Sequence, residues 1–176
     1  MRITAQEEYG LRCMLQIARH EGVTPMAISE IAKAEGLSTQ YVAKLLNRLH
    51  RARLIESVRG IHGGFRLTRP ADAVAVGAVL EALGGTLQSR HNKKPICETF
   101  VGNRDQCVHV GNCSIRPLWF IIMEHVAAVL NRLTLKNLID EESHAQATIT
   151  QQFRETSPHT QPVGMALPTY AGGMAR

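Results

Sequence analysis

The tightest constraint on this chain is a pair of short amphipathic segments joined by one glycine-containing turn. Ile28, Ile31 and Ala32 share a face of the first, and Gly36 closes it. Ser38 stands at the N-cap of the second, in which Tyr41, Val42, Leu45, Leu46 and Leu49 recur at helical spacing. A preceding run with Tyr9, Leu11, Met14, Leu15, Ile17 and Ala18 predicts another helix. Thr4 and Glu7 at its start have the spacing of a capping box. Short helices across such a turn, with a third to cover them, make a helix-turn-helix.

The next segment reads as a hairpin. Leu54–Val58 and Phe65–Leu67 are strand-like, and Arg59-Gly60-Ile61-His62-Gly63-Gly64 between them predicts a glycine-rich wing. Pro70 ends the second strand, and a helix is expected from about residue 72 to 83, stopped by Gly84-Gly85. The expected fold is mainly α with a small β-hairpin wing: a winged helix-turn-helix over residues 1–83. A long helix at 114–141 follows, with Leu118, Ile122, Val126, Val129 and Leu133 on one stripe. That stripe is too long for the small domain to cover, which suits a homodimer. Residues 142–176 are rich in Gln, Thr, Pro, Gly and Ala and are expected to be a disordered tail.

Charge narrows the function. Residues 1–70 hold eleven Lys/Arg against six Asp/Glu, a net +5, whereas residues 71–176 hold nine of each. Seven basic side chains lie between Lys44 and Arg69, opposed by Glu56 alone. Such a field attracts polyanions, here double-stranded DNA. The second helix of the pair would present Ser38, Thr39, Gln40 and Lys44 to base edges in the major groove, with Gln40 suited to adenine. Arg48 and Arg51 would reach phosphates, and Arg59 at the wing tip the minor groove. About six phosphate contacts would give a log–log salt slope of roughly −5.

Between wing and long helix, residues 84–113 lack periodicity and carry Cys97, Cys107 and Cys113 within seventeen residues. A loop of that length needs something to order it. The spacing has no paired C-x2-C units, so it is not a zinc ribbon. Three soft thiolates at irregular spacing suit an iron–sulfur cluster, either 2Fe–2S or 4Fe–4S. A fourth ligand is then needed, with Glu8, His109, Glu98 and His125 as candidates. Cys13 falls in an apolar helical face and reads as core. No run reaches the roughly 18 apolar residues of a membrane span, and the start lacks a signal peptide's pattern, so a cytoplasmic location is expected. There is no glycine-rich nucleotide loop, nucleophile elbow or carboxylate pair beside a histidine, which argues against an enzyme.

These residues carry a resemblance. Met1-Arg2-Ile3-Thr4, the turn Ile31-Ala32-Lys33-Ala34-Glu35-Gly36-Leu37-Ser38 and the helix Tyr41-Val42-Ala43-Lys44-Leu45-Leu46 are similar to the IscR/NsrR/RirA family of winged-helix bacterial regulators, the Rrf-two type. So are Val58-Arg59-Gly60-Ile61-His62-Gly63-Gly64-Phe65 and Leu133-Thr134-Leu135-Lys136-Asn137-Leu138. The resemblance covers about residues 1–140. It implies a homodimeric repressor or activator whose operator binding is controlled by an iron–sulfur cluster sensing iron, nitric oxide or redox state. The family's cluster cysteines fall on Cys97, Cys107 and Cys113, with a first gap longer than is usual. Its reading positions fall on Ser38, Gln40, Ala43, Lys44 and Arg59. Some members carry a glutamate at the position of Ala43, a contact alanine cannot make. Nitric-oxide-sensing members place a carboxylate where Glu8 stands, ligating the partner subunit's cluster, which favours Glu8 as fourth ligand. The competing expectation is a cluster-free regulator using thiols or zinc on the same scaffold.

Overall fold

Helix α1 (Ala5–Arg19) begins where the sequence places its cap. Glu7 N donates to Thr4 Oγ1 at 3.3 Å, while one oxygen of the Glu7 carboxylate accepts from Thr4 N and Oγ1 at 2.7 Å each. In the computed structural model, residues 3–22, 24–61, 63–84, 101–109, 112–140 and 142–156 are described. Helix α2 (Ile28–Glu35) ends at Gly36, whose φ of 66° is the left-handed geometry that glycine adopts at no steric cost. Helix α3 (Thr39–Arg51) starts with Ser38 Oγ accepting from Tyr41 N at 3.2 Å. Its Val42, Leu45, Leu46 and Leu49 are fully buried, together with Met14, Ile17 and Ile31 from α1 and α2.

Polar contacts fix the angles between these helices. Glu35 accepts from Arg12 Nε and Gln16 Nε2 at 2.6 Å each, tying α2 to α1. Tyr9 and Tyr41 meet edge to face with centroids 6.1 Å apart, joining α1 to α3.

Strands β1 (Ile55–Val58) and β2 (Gly64–Leu67) pair antiparallel in the register Ile55↔Leu67, Glu56↔Arg66, Ser57↔Phe65, Val58↔Gly64. The hairpin is docked onto the chain entering α2. Met26 N donates to Phe65 O and Phe65 N to Met26 O, both at 2.9 Å. At Gly64 a Cβ would lie 2.5 Å from Met26 O, so only glycine permits this approach.

Beyond the hairpin the boundaries depart from expectation. The helix expected over 72–83 is instead a 3₁₀ turn (Ala71–Ala73) followed by α4 (Val76–Ala82). The long helix expected over 114–141 is α5 (Arg116–Arg132), then an extended step, then a short α6 (Lys136–Ile139). One pairing explains both breaks. Val76 N donates to Leu133 O at 2.8 Å and Leu135 N to Val74 O at 2.9 Å, forming a bridge centred on Ala75 and Thr134. Residues held in that bridge cannot stay helical, and Leu133 and Leu135 are buried by it.

The tail expected to be disordered from 142 is helical over its first part, as α7 (Glu142–Thr156), packed on α5 and α6. Ile149 lies against the cluster of Val76, Leu80 and Leu133 and supplies an apolar anchor among polar neighbours. Residues 157–176 of that tail lie outside the described residues.

Helices α1 and α4 meet tightly at a glycine. A Cβ at Gly10 would sit 2.4 Å from Leu83 Cδ1, and Leu83 is itself buried. Replacing Gly10 with Val overfills this contact and should lower stability by about 1–3 kcal/mol, read by urea denaturation of the whole chain. Unchanged stability would show that α4 moves without cost.

Candidate nucleic-acid interface and cysteine segment

The exposed face of α3 and the wing border one cleft. It has a volume of about 650 Å³ and is lined by the start of α2 (Ala27, Ile28, Ser29), by Thr39, Gln40 and Ala43 of α3, and by Ser57, Val58, Gly63, Gly64 and Phe65 of the hairpin. Ser38, Thr39, Gln40 and Lys44 are exposed around the N-terminal half of α3, and Ala43 is half-buried in the cleft wall. Arg48 and Arg51 are exposed further along the same helix, and Arg59 is exposed just beyond β1. The structure thus brings Thr39 and Gln40 to the cleft beside the hairpin, and leaves Ser38, Lys44, Arg48, Arg51 and Arg59 exposed.

Three further residues lie beyond those the sequence points to. Ser29 and Ser57 line the cleft, and Asn47 is exposed one turn after Ala43 and Lys44. Spacing on α3 would have found Asn47. Ser29 and Ser57 become neighbours only when the hairpin docks through Met26, a contact no local pattern announces.

Arg48 has a second setting. Gln6 Nε2 donates to Leu83 O at the end of α4. A Cβ built on Gly84 would lie 3.5 Å from that Gln6 nitrogen and 3.7 Å from Arg48 Nη1. The point where the chain leaves α4 for the cysteine segment is therefore flanked by α1 and by α3.

In that segment Cys107 and Cys113 are free thiols, both half-buried, in a stretch of turns and bends held by Asn112 N donating to His109 O at 3.2 Å. Cys97 and Glu98 lie outside the described residues. Among the described residues no three metal-ligating side chains come together, so the structure does not join Glu8, His109 or His125 to the two thiols within one chain. His109 is exposed. The two glutamates opening α1 differ: Glu7 is buried in its cap, whereas Glu8 is exposed. Cys13 is fully buried, and loss of solvent, with the nearby Glu35 charge adding to it, pushes its thiol up to about 12. It stays protonated at neutral pH and is a core side chain.

Comparison with known proteins decides the kinship. The family profile described as Rrf2, iron-dependent transcriptional regulator, matches residues 3–141. The chain belongs to the Rrf2 family. It is 32% identical over 142 residues to the transcriptional regulator IscR of Sodalis glossinidius (strain morsitans), a match covering 81% of each chain. Among solved structures it is similar to CymR (YrzC), the global cysteine regulator of B. subtilis, with TM-score 0.61 and 27% identity over 79% of this chain and 96% of that one. T. potens IscR gives TM-score 0.59 and 27% identity over 79% and 86%. As an Rrf2 member the chain is a DNA-binding transcriptional regulator, not an enzyme, built on the winged helix-turn-helix that the caps and hairpin predict. No helix among the described residues is long and apolar enough to cross a membrane.

The geometry makes the wing's docking the weak point of the DNA face. Replacing Gly64 with Ala drives a methyl into Met26 O and should undock the hairpin. DNA affinity, measured by fluorescence anisotropy, should fall by about tenfold or more. Affinity equal to that of the native chain would separate the wing from DNA binding.

Proposed function

We propose that this Rrf2 regulator acts as a cytoplasmic homodimer whose operator affinity is set by an iron–sulfur cluster on Cys97, Cys107 and Cys113. The observation that carries this reading is the position of the thiols. Cys107 and Cys113 stand on the segment leading directly into α5. At its far end, α5 is hydrogen-bonded to the reader domain through Leu133.

The donor set fits the group. Three soft thiols suit an iron–sulfur centre, and the described stretch that carries Cys107 and Cys113 is made of turns and bends that can follow a bound group. When bound, the cluster supplies a redox- and nitrosylation-sensitive centre. The chain's part is to convert that state into geometry. An exposed Glu8 from the partner's α1 suits the fourth position, and oxygen binds cluster iron less firmly than thiolate, so this bond would yield first. Glu8 begins the helix behind α3, and its release would reorient one reader against the other. Two readers must match half-sites about one DNA turn apart, so a small rotation changes affinity.

Dimerisation is supported by the open side of α5. None of its residues is buried, and Leu118, Trp119, Ile121 and Ile122 are 41–55% exposed on its N-terminal half. Toward its C-terminal end, Val129 and Leu130 pack against the domain. A second copy of α5 would cover what the first leaves bare. On the DNA side, Ser38, Thr39, Gln40 and Lys44 are assigned to base edges, Arg48 and Arg51 to phosphates, and Arg59 to the minor groove.

A second reading has one observation in its favour: a cysteine regulator, CymR, shares this fold. On that reading Cys107 and Cys113 respond as thiols, or bind zinc, without iron.

Anaerobic visible absorption with iron and sulfide assays tests the proposal on protein purified without added metal. The expected result is a brown dimer whose charge-transfer bands are lost on replacing Cys97, Cys107 or Cys113 with Ala, and whose cluster becomes more labile in Glu8→Ala. A colourless protein that no reconstitution colours would overturn the cluster and favour the thiol reading.

A further inference from the structure

The wing tip presents an apolar side chain to solvent. Ile61 is 99% exposed, more than any other large hydrophobic residue among those described. Its turn has little freedom to tuck the side chain away. Gly60 has φ +122°, and Gly63 N donates back to Gly60 O at 2.9 Å. A Cβ at Gly63 would lie 2.5 Å from Val58 O and 2.8 Å from Gly60 O, so the backbone closes on itself beneath Ile61. The strands below are anchored through Phe65 to Met26. Ile61 thus faces solvent at the tip of an anchored hairpin.

Its charge setting points to the partner. The hairpin's one acidic residue, Glu56, accepts from Arg66 Nε at 2.7 Å and is neutralised within the sheet. Arg59, two residues before Ile61, is exposed and forms no ion pair among the described residues. A guanidinium beside a solvent-facing aliphatic group suits a DNA minor groove. Its narrow stretches attract arginine, and its base steps admit apolar wedges that kink the duplex.

We propose that Ile61 enters the minor groove next to Arg59 as an apolar wedge at a flexible pyrimidine–purine step, so that the wing bends the operator as well as touching it. This deepens the DNA-binding reading and rests on it. Recognition at such a step would come from deformability, at positions where no hydrogen bond is made to a base.

The test uses the full-length protein and duplexes that the native protein selects from a random-sequence pool. Affinity is measured by fluorescence anisotropy over a salt series, and bending by end-to-end energy transfer. Ile61→Ala is expected to bind about tenfold more weakly, with a smaller bend and an unchanged salt slope, because no phosphate contact is removed. Ile61→Leu should restore both properties. Arg59→Ala, by contrast, should reduce the salt slope by about one. Since Ile61 is 99% exposed, its variants should melt with the native chain. Native affinity and native bend in Ile61→Ala would overturn the wedge while leaving DNA binding in place, and would leave a protein surface as the role of this residue. A native protein that selects no duplex would overturn the DNA reading and the wedge with it.

Discussion

Two backbone hydrogen bonds hold the reader to the rest of the molecule: Val76 N to Leu133 O and Leu135 N to Val74 O. Each closes on a carbonyl that would otherwise be left at a helix end or in an extended step. Around them Val76, Leu80 and Leu133 form a small apolar cluster, sealed by Val129, Leu130, Leu138 and Ile149. The long helix therefore cannot swivel freely about its C-terminal end. Helix α5 thus adjoins α4, which in turn meets α1 where Leu83 packs on Gly10.

The DNA face depends on a second close approach, that of Gly64 to Met26. It lays the hairpin against the start of α2 and forms one wall of the cleft beside α3. Helix α3 and the wing thus share a foundation. Arg48 links this face to the chain's exit from α4, where Gln6 grips Leu83. The cysteine segment follows a point that α1 already holds, through Gln6 on Leu83 O.

Much of this was legible in the sequence because it is local. The Thr4–Glu7 box, the Gly36 stop, the Ser38 cap and the strand pairing around the glycine-rich stretch each act within a few residues, and each is formed as expected. The apolar faces of α1 and α3 followed from spacing, and Cys13 from its place on one of them. What escaped was non-local. Nothing near Leu133 signals a break, since its apolar stripe continues; the helix ends because Val74–Val76, some sixty residues earlier, pairs with it. The same pairing delays α4. The α7 segment looked disordered because it is mostly polar, yet Ile149 finds a cluster assembled from α4 and the 133–138 return. Of the candidate metal ligands, Cys107 and Cys113 are seen as thiols and Glu8 as an exposed carboxylate, while Cys97 lies outside the described residues. A site completed across two subunits would not assemble within one chain, whatever its sequence.

The central claim is that the state of the cysteine segment sets DNA affinity through these contacts. The most direct measurement compares operator affinity of anaerobically purified, cluster-loaded protein with that of the same protein after chelation, at one ionic strength. The account predicts a difference of about tenfold or more, within the usual range of coupling between two sites. It also predicts that Cys107→Ala removes the difference. Equal affinities for the loaded and stripped forms, with both dimeric, would contradict it.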